Sequence, residues 1–399
     1  MNRFVCKPRP VQWQKDELVA KRPAVDFIFF DAGGGHRAAA TALEAVIKQQ
    51  ERPWDIRLVD LQDILDELDI FRKLTGLRLE DIYNRVLENG WTLGSTQLLP
   101  LMHGVIRLYH PAQVRVLTKF WGDSTPDMVV SLVPNFDRSM WQALQKVNPE
   151  IPFVTVLTDM ADYPPHFWIE KQKQTFICGT DRALQQVREI SPESSAHRVS
   201  GMILNPKFYS VPAVDVPVER EKLGLDPKRP TGVMLFGGMG SEKMDSILER
   251  VDQSALDVQL ILICGKNEKL RKRLAERKTR IAKHVEGFTR EVPRFMQMAD
   301  FFIGKPGPGS ISEAIHMGLP VIVEKNSWTL PQERFNADWV VEQKVGESLS
   351  TFHEIVPALE RMLAAGRLAE LRQNVQAIQN RGIFEVTDLL QSFLDKIRG

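Results

Sequence analysis

Cysteine is scarce in this chain, and the three residues that occur are far apart. Cys6, Cys178 and Cys264 are spread over 399 residues and form neither a CxxC pair nor a disulfide framework. Long hydrophobic runs are missing too, since no apolar stretch approaches the roughly 20 residues that a membrane-spanning helix needs. Residues 1–22 form a charged leader without the apolar core of a signal peptide. We therefore expect a cytosolic protein that meets a membrane only at its surface.

Net charge is almost absent, and one segment lacks acidic residues altogether. The chain has 52 Lys and Arg against 51 Asp and Glu, a formal net charge of +1, which gives no overall attraction to nucleic acid. Residues 89–122 contain no Asp or Glu but hold Arg107, Arg115 and Lys119 among aromatic and aliphatic side chains. Such a segment either docks on anionic lipid or forms core helices with basic edges. The composition leaves both interpretations open.

Patterns that bind metal ions are also missing. No Asp-x-Asp occurs in the chain, which argues against a metal-dependent sugar-nucleotide site of that type. Asp60, Asp63, Asp66 and Asp69 recur every three residues among leucines and isoleucine, and this spacing favours one solvated helix face over a metal site. The sequence therefore predicts no metal site and no cofactor.

The chain does have a repeated order of strand, glycine loop and helix. An apolar run at residues 25–30 precedes the glycines at 33–35, another at 232–236 precedes those at 237–240, and a third at 299–303 precedes Gly-Lys-Pro-Gly-Pro-Gly-Ser at 304–310. Glycine loops let the backbone approach a ligand, and a helix start favours an anion. The last stretch lacks the ending of Walker A and the third glycine of the dinucleotide fingerprint. We expect a phosphate-bearing nucleotide of another kind.

Strands alternate with helices in both halves of the chain, and five prolines cluster between the halves. This pattern predicts an α/β fold of two Rossmann-like, doubly wound domains. The predicted parts are a leader at 1–22, a first domain at 23–205, a linker at 206–230, a second domain at 231–375 and a closing helix at 376–399. Open sheets of this kind bind ligands beyond the carboxyl ends of their strands, so we expect one cleft between the domains.

Polar side chains at predicted strand ends are the catalytic candidates. His36 stands at a helix start, where the helix dipole disfavours the charged imidazolium. We therefore expect a lowered pKa for His36 and a neutral ring that can act as general base. Asp159 and His166 follow the strand predicted at residues 153–157 and should reach the same cleft.

Three local predictions concern element boundaries. Ser310 and Glu313 have the spacing of a capping box, which predicts that a helix starts at Ser310. Residues 331–336 are predicted to be a loop that brings hydrogen-bonding side chains together. Residues 199–201 are predicted to be the last short strand of the first domain.

Several separated motifs occur in the order seen in monogalactosyldiacylglycerol synthases. They are Gly-Gly-Gly-His-Arg-Ala at 33–38, Thr-Asp at 158–159, Gly-Gly-Met-Gly at 237–240, Gly-Lys-Pro-Gly-Pro-Gly at 304–309 with Glu-Ala at 313–314, and Gln-Glu-x-x-Asn at 332–336. The chain also resembles bacterial diacylglycerol glucosyltransferases and, more distantly, the peptidoglycan N-acetylglucosaminyltransferase. The resemblance spans roughly residues 27–346.

This resemblance implies a GT-B fold, in which the two Rossmann-like domains face a central cleft. It also implies an inverting, metal-independent transfer of galactose or glucose from a UDP-sugar to the hydroxyl of diacylglycerol. His36 would be the general base, with Asp159 as the second catalytic residue. The acceptor side would be formed by Gly34, Gly35, His166 and Trp168. The donor would be held by Gly237, Gly238, Met239, Gly287, Phe288, Gly307, Gly309, Ser310, Glu313, Gln332, Glu333 and Asn336.

Within the donor site, the resemblance gives each group a role. Gly287 and Phe288 would contact uracil, Glu313 would bind the ribose hydroxyls, and the helix near Ser310 would face the diphosphate. Gln332, Glu333 and Asn336 would hold the sugar. A UDP leaving group gains negative charge in the transition state, and preorganised N–H groups can stabilise that charge without a metal.

The motifs do not decide which sugar is transferred or which lipid accepts it. Pro331 and Arg334-Phe335 depart from the plant galactosyl enzymes, whereas the run at 36–38 is closer to them. The alternatives are a transferase acting on a polyprenyl-linked or other lipid, and a non-catalytic UDP-sugar sensor, against which the presence of His36 argues. The implied partners are a UDP-sugar, diacylglycerol and anionic membrane lipids, with no nucleic acid. The implied location is peripheral, on the cytoplasmic side of a membrane.

Overall fold

The structure, a computed structural model, describes residues 22–31, 34–65 and 95–398. The leader up to residue 21, Gly33, Asp66, Asp69 and the first six residues of the acid-free segment lie outside the described residues. Within the described ranges, no helix is both long and apolar enough to cross a bilayer.

The first domain is built on a six-stranded parallel sheet. Its central strands are apolar along nearly their whole length, as expected for strands covered on both faces. The strands are β1 (Ala24–Phe29), β2 (Asp55–Asp60), β3 (Met128–Ser131), β4 (Phe153–Val156), β5 (Thr175–Cys178) and β6 (Ser195–Arg198). They pair in the order β2-β1-β3-β4-β5-β6. The flanking helices are Gly35–Gln49, Leu61–Leu65, Ser95–Asp123, Asp137–Val147 and Asp181–Ile190.

The second domain repeats this plan. Its strands are β7 (Thr231–Leu235), β8 (Gln259–Ile263), β9 (Lys283–Glu286), β10 (Phe301–Gly304), β11 (Val321–Glu324) and β12 (Gly346–Leu349). They pair in parallel in the order β12-β11-β10-β7-β8-β9. The helices are Lys243–Gln253, Glu268–Glu276, Val292–Gln297, Pro308–His316, Pro331–Glu342, Ile355–Leu363 and Arg367–Ala377.

In both sheets the direction of strand addition reverses next to the first strand. The chain places β2 on one side of β1 and then β3 on the other, and it places β8 and β9 on one side of β7 and β10 on the other. A crevice opens beyond the carboxyl ends of the strands at such a point. The helix start that carries His36, after β1, and the loop at 305–307, after β10, border these crevices. The prediction of two doubly wound α/β domains is confirmed.

The last helix and the proline-rich segment each pack against one of the two domains. The last helix, Gly382–Arg398, packs on the first domain, where Leu390 and Leu394 share a core with Leu43. In the proline-rich segment, the short helix Val216–Lys222 packs on the second domain, because its buried Arg220 donates to Asp300 Oδ2 at 2.9 Å.

Two helix starts differ from the predictions for the same physical reason. No capping box forms at Ser310, because the helix begins at Pro308 with Gly307 as its N-cap. Residues 331–336 are not a loop, because they open the helix Pro331–Glu342. Proline is favoured at the first helical position, where its fixed φ suits the helix and its missing N–H costs nothing.

Two strands at the edges of the sheets differ from the predictions. The strand expected at residues 199–201 is wrong, because β6 covers Ser195–Arg198 instead, and β12 was not predicted. Both are edge strands with polar residues, so they lack the apolar run that marks a central strand. Asp60 does not lie on the predicted helix face, because it ends β2, whereas Asp63 lies in the helix Leu61–Leu65.

Candidate functional site

His36 lies where three neighbouring strands of the first sheet end. It is the second residue of the helix that follows β1, and its Nδ1 is 3.0 Å from the hydroxyl of Thr158, which follows β4. The backbone of Leu132, just after β3, forms a second hydrogen bond with the ring. Because β1, β3 and β4 are adjacent in the sheet, their carboxyl ends converge on this histidine. The ring is therefore held in place from two sides.

The charge state of His36 follows from this setting. Burial lowers the pKa of the ring to about 4, and the hydrogen bond with Leu132 opposes that shift only in part. The pKa of His36 is therefore lowered, as expected, but the main cause is burial and not the helix dipole. The ring keeps some exposure, and Cβ atoms added at Gly34 or Gly35 would meet nothing within 4 Å. His36 is a neutral imidazole at pH 7 with open space beside it.

Asp159 is close to His36, but Trp168 lies between the two. Trp168 Nε1 donates to Asp159 Oδ2 at 2.8 Å, and the Trp168 ring is 5.9 Å from the His36 ring, centroid to centroid. The pKa of Asp159 is raised to about 7, chiefly by burial and in part by the charge of Glu333, while the bond from Trp168 and the charge of Lys305 oppose the shift. Asp159 is therefore placed to fix Trp168 against His36.

Asp162 is a site residue that no sequence motif indicates. It is fully buried, and its carboxylate accepts from the backbone N–H of Trp168 at 2.6 Å and of His166 at 2.9 Å. Gln186 bonds to both the N–H and the C=O of Asp162. Asp162 thereby sets the course of the loop that carries Trp168. The predicted acceptor residue His166 has a positive φ of 65° and an exposed side chain.

On the second domain, the glycine loops come close because two positions have no side chain. A Cβ at Gly304 would lie 2.4 Å from the carbonyl oxygen of Leu235, and one at Gly265 would lie 2.2 Å from that of Gly238. These contacts let the loops after β7, β8 and β10 approach one another. Met239 remains 44% exposed at the rim of this loop cluster.

The helix Pro308–His316 starts at the centre of this cluster. A helix leaves the N–H groups of its first turn without intrahelical partners, and the N-cap Gly307 has no side chain to accept from them. Gly309 and Ser310 belong to this turn. One turn further, the side chain of Glu313 has no hydrogen-bond or ion-pair partner among the described residues, and burial raises the pKa of its carboxyl to about 7. The helix start thus combines free donors with an unpartnered carboxyl group.

The first two turns of the helix Pro331–Glu342 support this loop. Lys305 Nζ donates to Glu333 Oε1 at 2.9 Å, and Glu333 is 8% exposed. Asn336 is fully buried, its Nδ2 donates to the carbonyl oxygen of Pro306 at 2.8 Å, and its Oδ1 has no partner among the described residues. Gln332 is half-buried beside them.

Phe288 offers an aromatic surface at the end of β9. It is 60% exposed, and Lys266 Nζ lies 5.8 Å from its ring centroid. Arg271 is close to Gly287, because a Cβ there would come within 3.0 Å of Arg271 Cδ. An exposed phenyl face of this kind suits stacking by a planar base.

The two groups of residues face each other across one cleft. Tyr163 of the first domain stacks with Phe335 of the second, with ring centroids 6.1 Å apart. Glu333 and Lys305 are also close enough to affect the pKa of Asp159. In the part of the chain that the structure describes, no group of three or more His, Cys, Asp or Glu residues could hold a metal ion.

The chain is similar to known proteins over most of its length. Residues 233–377 match the glycosyltransferase family 28 C-terminal domain. Monogalactosyldiacylglycerol synthase 1 of Arabidopsis thaliana is 26% identical over 84% of this chain and 64% of its own length, slightly less than two thirds. The spinach (Spinacia oleracea) monogalactosyldiacylglycerol synthase is 26% identical over 86% of this chain and 67% of its own length.

Solved structures show the fold. The MurG protein of Acinetobacter baumannii has a TM-score of 0.59 at 12% identity and covers 93% of this chain and all of its own. The calicheamicin glycosyltransferase CalG4 has a TM-score of 0.60 at 14% identity, with 95% of this chain and 100% of its own covered. The predicted GT-B fold and the family resemblance are both confirmed. The chain is a homologue of the monogalactosyldiacylglycerol synthases, with a GT-B fold and a glycosyltransferase family 28 C-terminal domain.

Proposed function

We propose that this protein is an inverting glycosyltransferase that moves galactose or glucose from a UDP-sugar to the hydroxyl of diacylglycerol. The observation that carries the proposal is the pairing of a neutral, accessible His36 with a helix start of free N–H groups across one cleft. The product is a β-glycosyldiacylglycerol, and the names of the homologues support this acceptor.

The reaction divides between the two walls of the cleft. The acceptor oxygen attacks the anomeric carbon and gives its proton to His36, while the bond from that carbon to the UDP oxygen breaks. His36 is suited to this step because it is neutral at pH 7 and held by Thr158 and Leu132. The leaving diphosphate gains negative charge, which the helix start at Pro308 can stabilise. We propose that no metal or cofactor takes part, so activity should survive a metal chelator.

The nucleotide is assigned to the second domain. We propose that uracil stacks on Phe288, that the ribose hydroxyls bind Glu313, and that Gln332 and Glu333 contact the sugar. Asn336 acts behind them, since its amide already holds the carbonyl of Pro306. Assays with UDP-galactose and UDP-glucose, each with diacylglycerol or a polyprenyl-linked acceptor, decide the substrates. Binding of UDP-sugar without transfer to any lipid would favour a sensor instead.

The pH dependence of UDP binding tests the role of Glu313. Its pKa of about 7 in the free protein is raised by burial, so the carboxyl is mostly protonated below pH 7 and ionised above it. Ribose hydroxyls donate best to the ionised form. UDP affinity should therefore rise by up to roughly tenfold between about pH 6 and pH 8. Isothermal titration calorimetry measures this change.

The matched variant is Glu313→Gln, which keeps the shape of the side chain but does not titrate. It should bind UDP more weakly than the wild type at about pH 8. Its UDP affinity should also change less than that of the wild type between about pH 6 and pH 8. Titration of the phosphate itself is common to both proteins and cancels in this comparison. Identical pH profiles for the two proteins would remove Glu313 from the ribose site.

We further propose peripheral membrane binding through the helix Ser95–Asp123. Arg107, Leu108, Arg115 and Lys119 are exposed and lie on one side of this helix, and Leu108 is 75% exposed. None of the three cations pairs with a described acidic residue. The opposite side is ordinary core, because Leu117 and Trp121 are fully buried. Trp121, one of the aromatic residues of the acid-free segment, is therefore a core residue, and the proposed docking surface is the basic face with Leu108.

Liposome sedimentation tests this surface. Arg107→Glu with Arg115→Glu should weaken binding to anionic vesicles by at least about tenfold, since each nearby Lys or Arg contributes roughly 1 kcal/mol. Binding to neutral vesicles should change little. A control double variant, Lys48→Glu with Arg188→Glu, alters two exposed cations on other helices of the same domain. Equal effects of the two double variants would move the docking surface elsewhere.

A further inference from the structure

Lys305 occupies the point where the loops of the second domain meet. It follows Gly304 at the end of β10, and its Nζ bonds to Glu333 Oε1 at 2.9 Å. Its Cε lies 3.6 Å from the position of a Cβ on Gly237 and 3.3 Å from that of a Cβ on Gly307. The side chain of Lys305 therefore lies between the loop after β7 and the helix start at Pro308.

The surroundings of Lys305 make it a cation of the cleft. Its side chain is 42% exposed, and its charge lowers the pKa of Asp159 on the opposite wall. Lys243, the next basic residue after the loop at 237–240, is instead engaged by the buried carboxylate of Glu324. Glu333 is 8% exposed, so Lys305 is the member of this pair that reaches the solvent of the cleft.

We propose that Lys305 contacts the diphosphate of the donor and exchanges Glu333 for it when the nucleotide binds. This inference rests on the proposed function and adds a residue to it. When the bond between the anomeric carbon and the UDP oxygen breaks, the electron pair stays on that oxygen, and the ammonium group of Lys305 stabilises the new charge without transferring a proton. The exchange also frees the carboxylate of Glu333, which can then accept hydrogen bonds from the sugar.

Replacing Lys305 and replacing Glu333 should have opposite effects on nucleotide binding. Lys305→Gln removes a charge-assisted hydrogen bond to phosphate and should weaken UDP binding by roughly ten- to a hundredfold. Glu333→Gln removes a competitor for Lys305 and a negative charge near the diphosphate, so UDP should bind as well as or better than in the wild type. Uridine, which has no phosphate, should bind all variants alike. A merely structural ion pair would make both substitutions equally harmful.

Isothermal titration calorimetry of the whole protein with UDP and with uridine, in the presence of a chelator, makes the test. Lys325→Gln is the control, because Lys325 pairs with Asp338 on the same helix that carries Glu333. Lys305→Arg keeps the charge and should stay within a few fold of the wild type, which tests the cation even if Lys305→Gln lowers stability. Unchanged UDP affinity in folded Lys305→Gln, or equal losses in Lys305→Gln and Glu333→Gln, would overturn the proposal.

The same titrations, repeated with TDP, separate this inference from the proposed function. If the wild type binds TDP but not UDP, and Lys305→Gln weakens TDP, the assigned donor is wrong and the role of Lys305 stands. If the wild type binds UDP and Lys305→Gln does not weaken it, the donor stands and the role of Lys305 is wrong. If the wild type binds no nucleoside diphosphate, both are wrong.

Discussion

Replacing His36 by alanine should lower the turnover number by about 10²- to 10⁴-fold, the usual contribution of a general base. UDP affinity should stay close to that of the wild type, because His36 lies on the first domain and the proposed nucleotide site lies on the second. Steady-state kinetics of glycolipid formation and calorimetry with UDP measure the two quantities separately.

The control is His197→Ala, which removes a histidine from β6 at the far edge of the same sheet. This variant should keep the wild-type turnover number. Near-full activity of folded His36→Ala would exclude His36 as the base. A parallel loss of UDP binding would instead indicate that His36 supports the donor site.

The pH profile should carry the signature of the same residue. Only the neutral ring accepts a proton, and the pKa of His36 is about 4 in the free protein. The His36-dependent part of kcat/KM should therefore be present from about pH 8 down to pH 5 and be lost as the pH falls through 4. Protonation of Glu313 lowers donor affinity near pH 7 in the wild type and in His36→Ala alike, so the part that depends on His36 is read from the ratio of their kcat/KM values. A fall of this ratio centred near pH 6.5, the ordinary range of histidine, would contradict the buried setting of His36.

Replacing Asp162 by alanine should have the second large effect, on stability and on activity together. The substitution leaves the backbone N–H of Trp168, which is buried, and that of His166, which is only partly buried, without their acceptor. An unsatisfied buried donor costs roughly 1–3 kcal/mol, so the first domain should lose at least about 1–3 kcal/mol in its free energy of unfolding. Urea unfolding followed by circular dichroism measures this loss. Turnover should fall as well, because Trp168 would no longer be held against His36.

Asp162→Asn is the graded comparison. Asparagine keeps one carbonyl oxygen that can accept one of the two N–H groups, while its NH2 group cannot accept the other. Its stability should lie between those of the wild type and Asp162→Ala. If Asp162→Ala unfolds at the wild-type urea concentration with unchanged turnover, Asp162 does not organise the loop.

Most of the fold could be predicted because the central strands of both sheets are continuous apolar runs. The sequence predicts the helices Asp137–Val147 and Asp181–Ile190 with these bounds, since each is amphipathic and starts with an acidic residue. The edge strands β6 and β12 could not be predicted, because Ser195–Arg198 and Gly346–Leu349 have no apolar pattern. Their pairing is set by the neighbouring strand.

Some features of the site could likewise be predicted from the sequence, and others could not. His36 and Asp159 could be assigned to the cleft because residues at the carboxyl ends of parallel strands meet there. The ion pair of Lys305 with Glu333 could not be predicted, since it joins residues 28 positions apart through a helix that was predicted to be a loop. The contacts of Asp162 depend on the exact course of the loop before Trp168, which no local pattern specifies.

Mass spectrometry of the lipids made by the purified protein tests the central claim most directly. Vesicles containing diacylglycerol would be incubated with UDP-galactose or UDP-glucose, with wild-type protein or with His36→Ala. We predict a hexosyldiacylglycerol with one of the two donors for the wild type, and at least about a hundredfold less for His36→Ala. No hexosyldiacylglycerol from the wild type with either donor, or equal amounts from the two proteins, would contradict the proposed function.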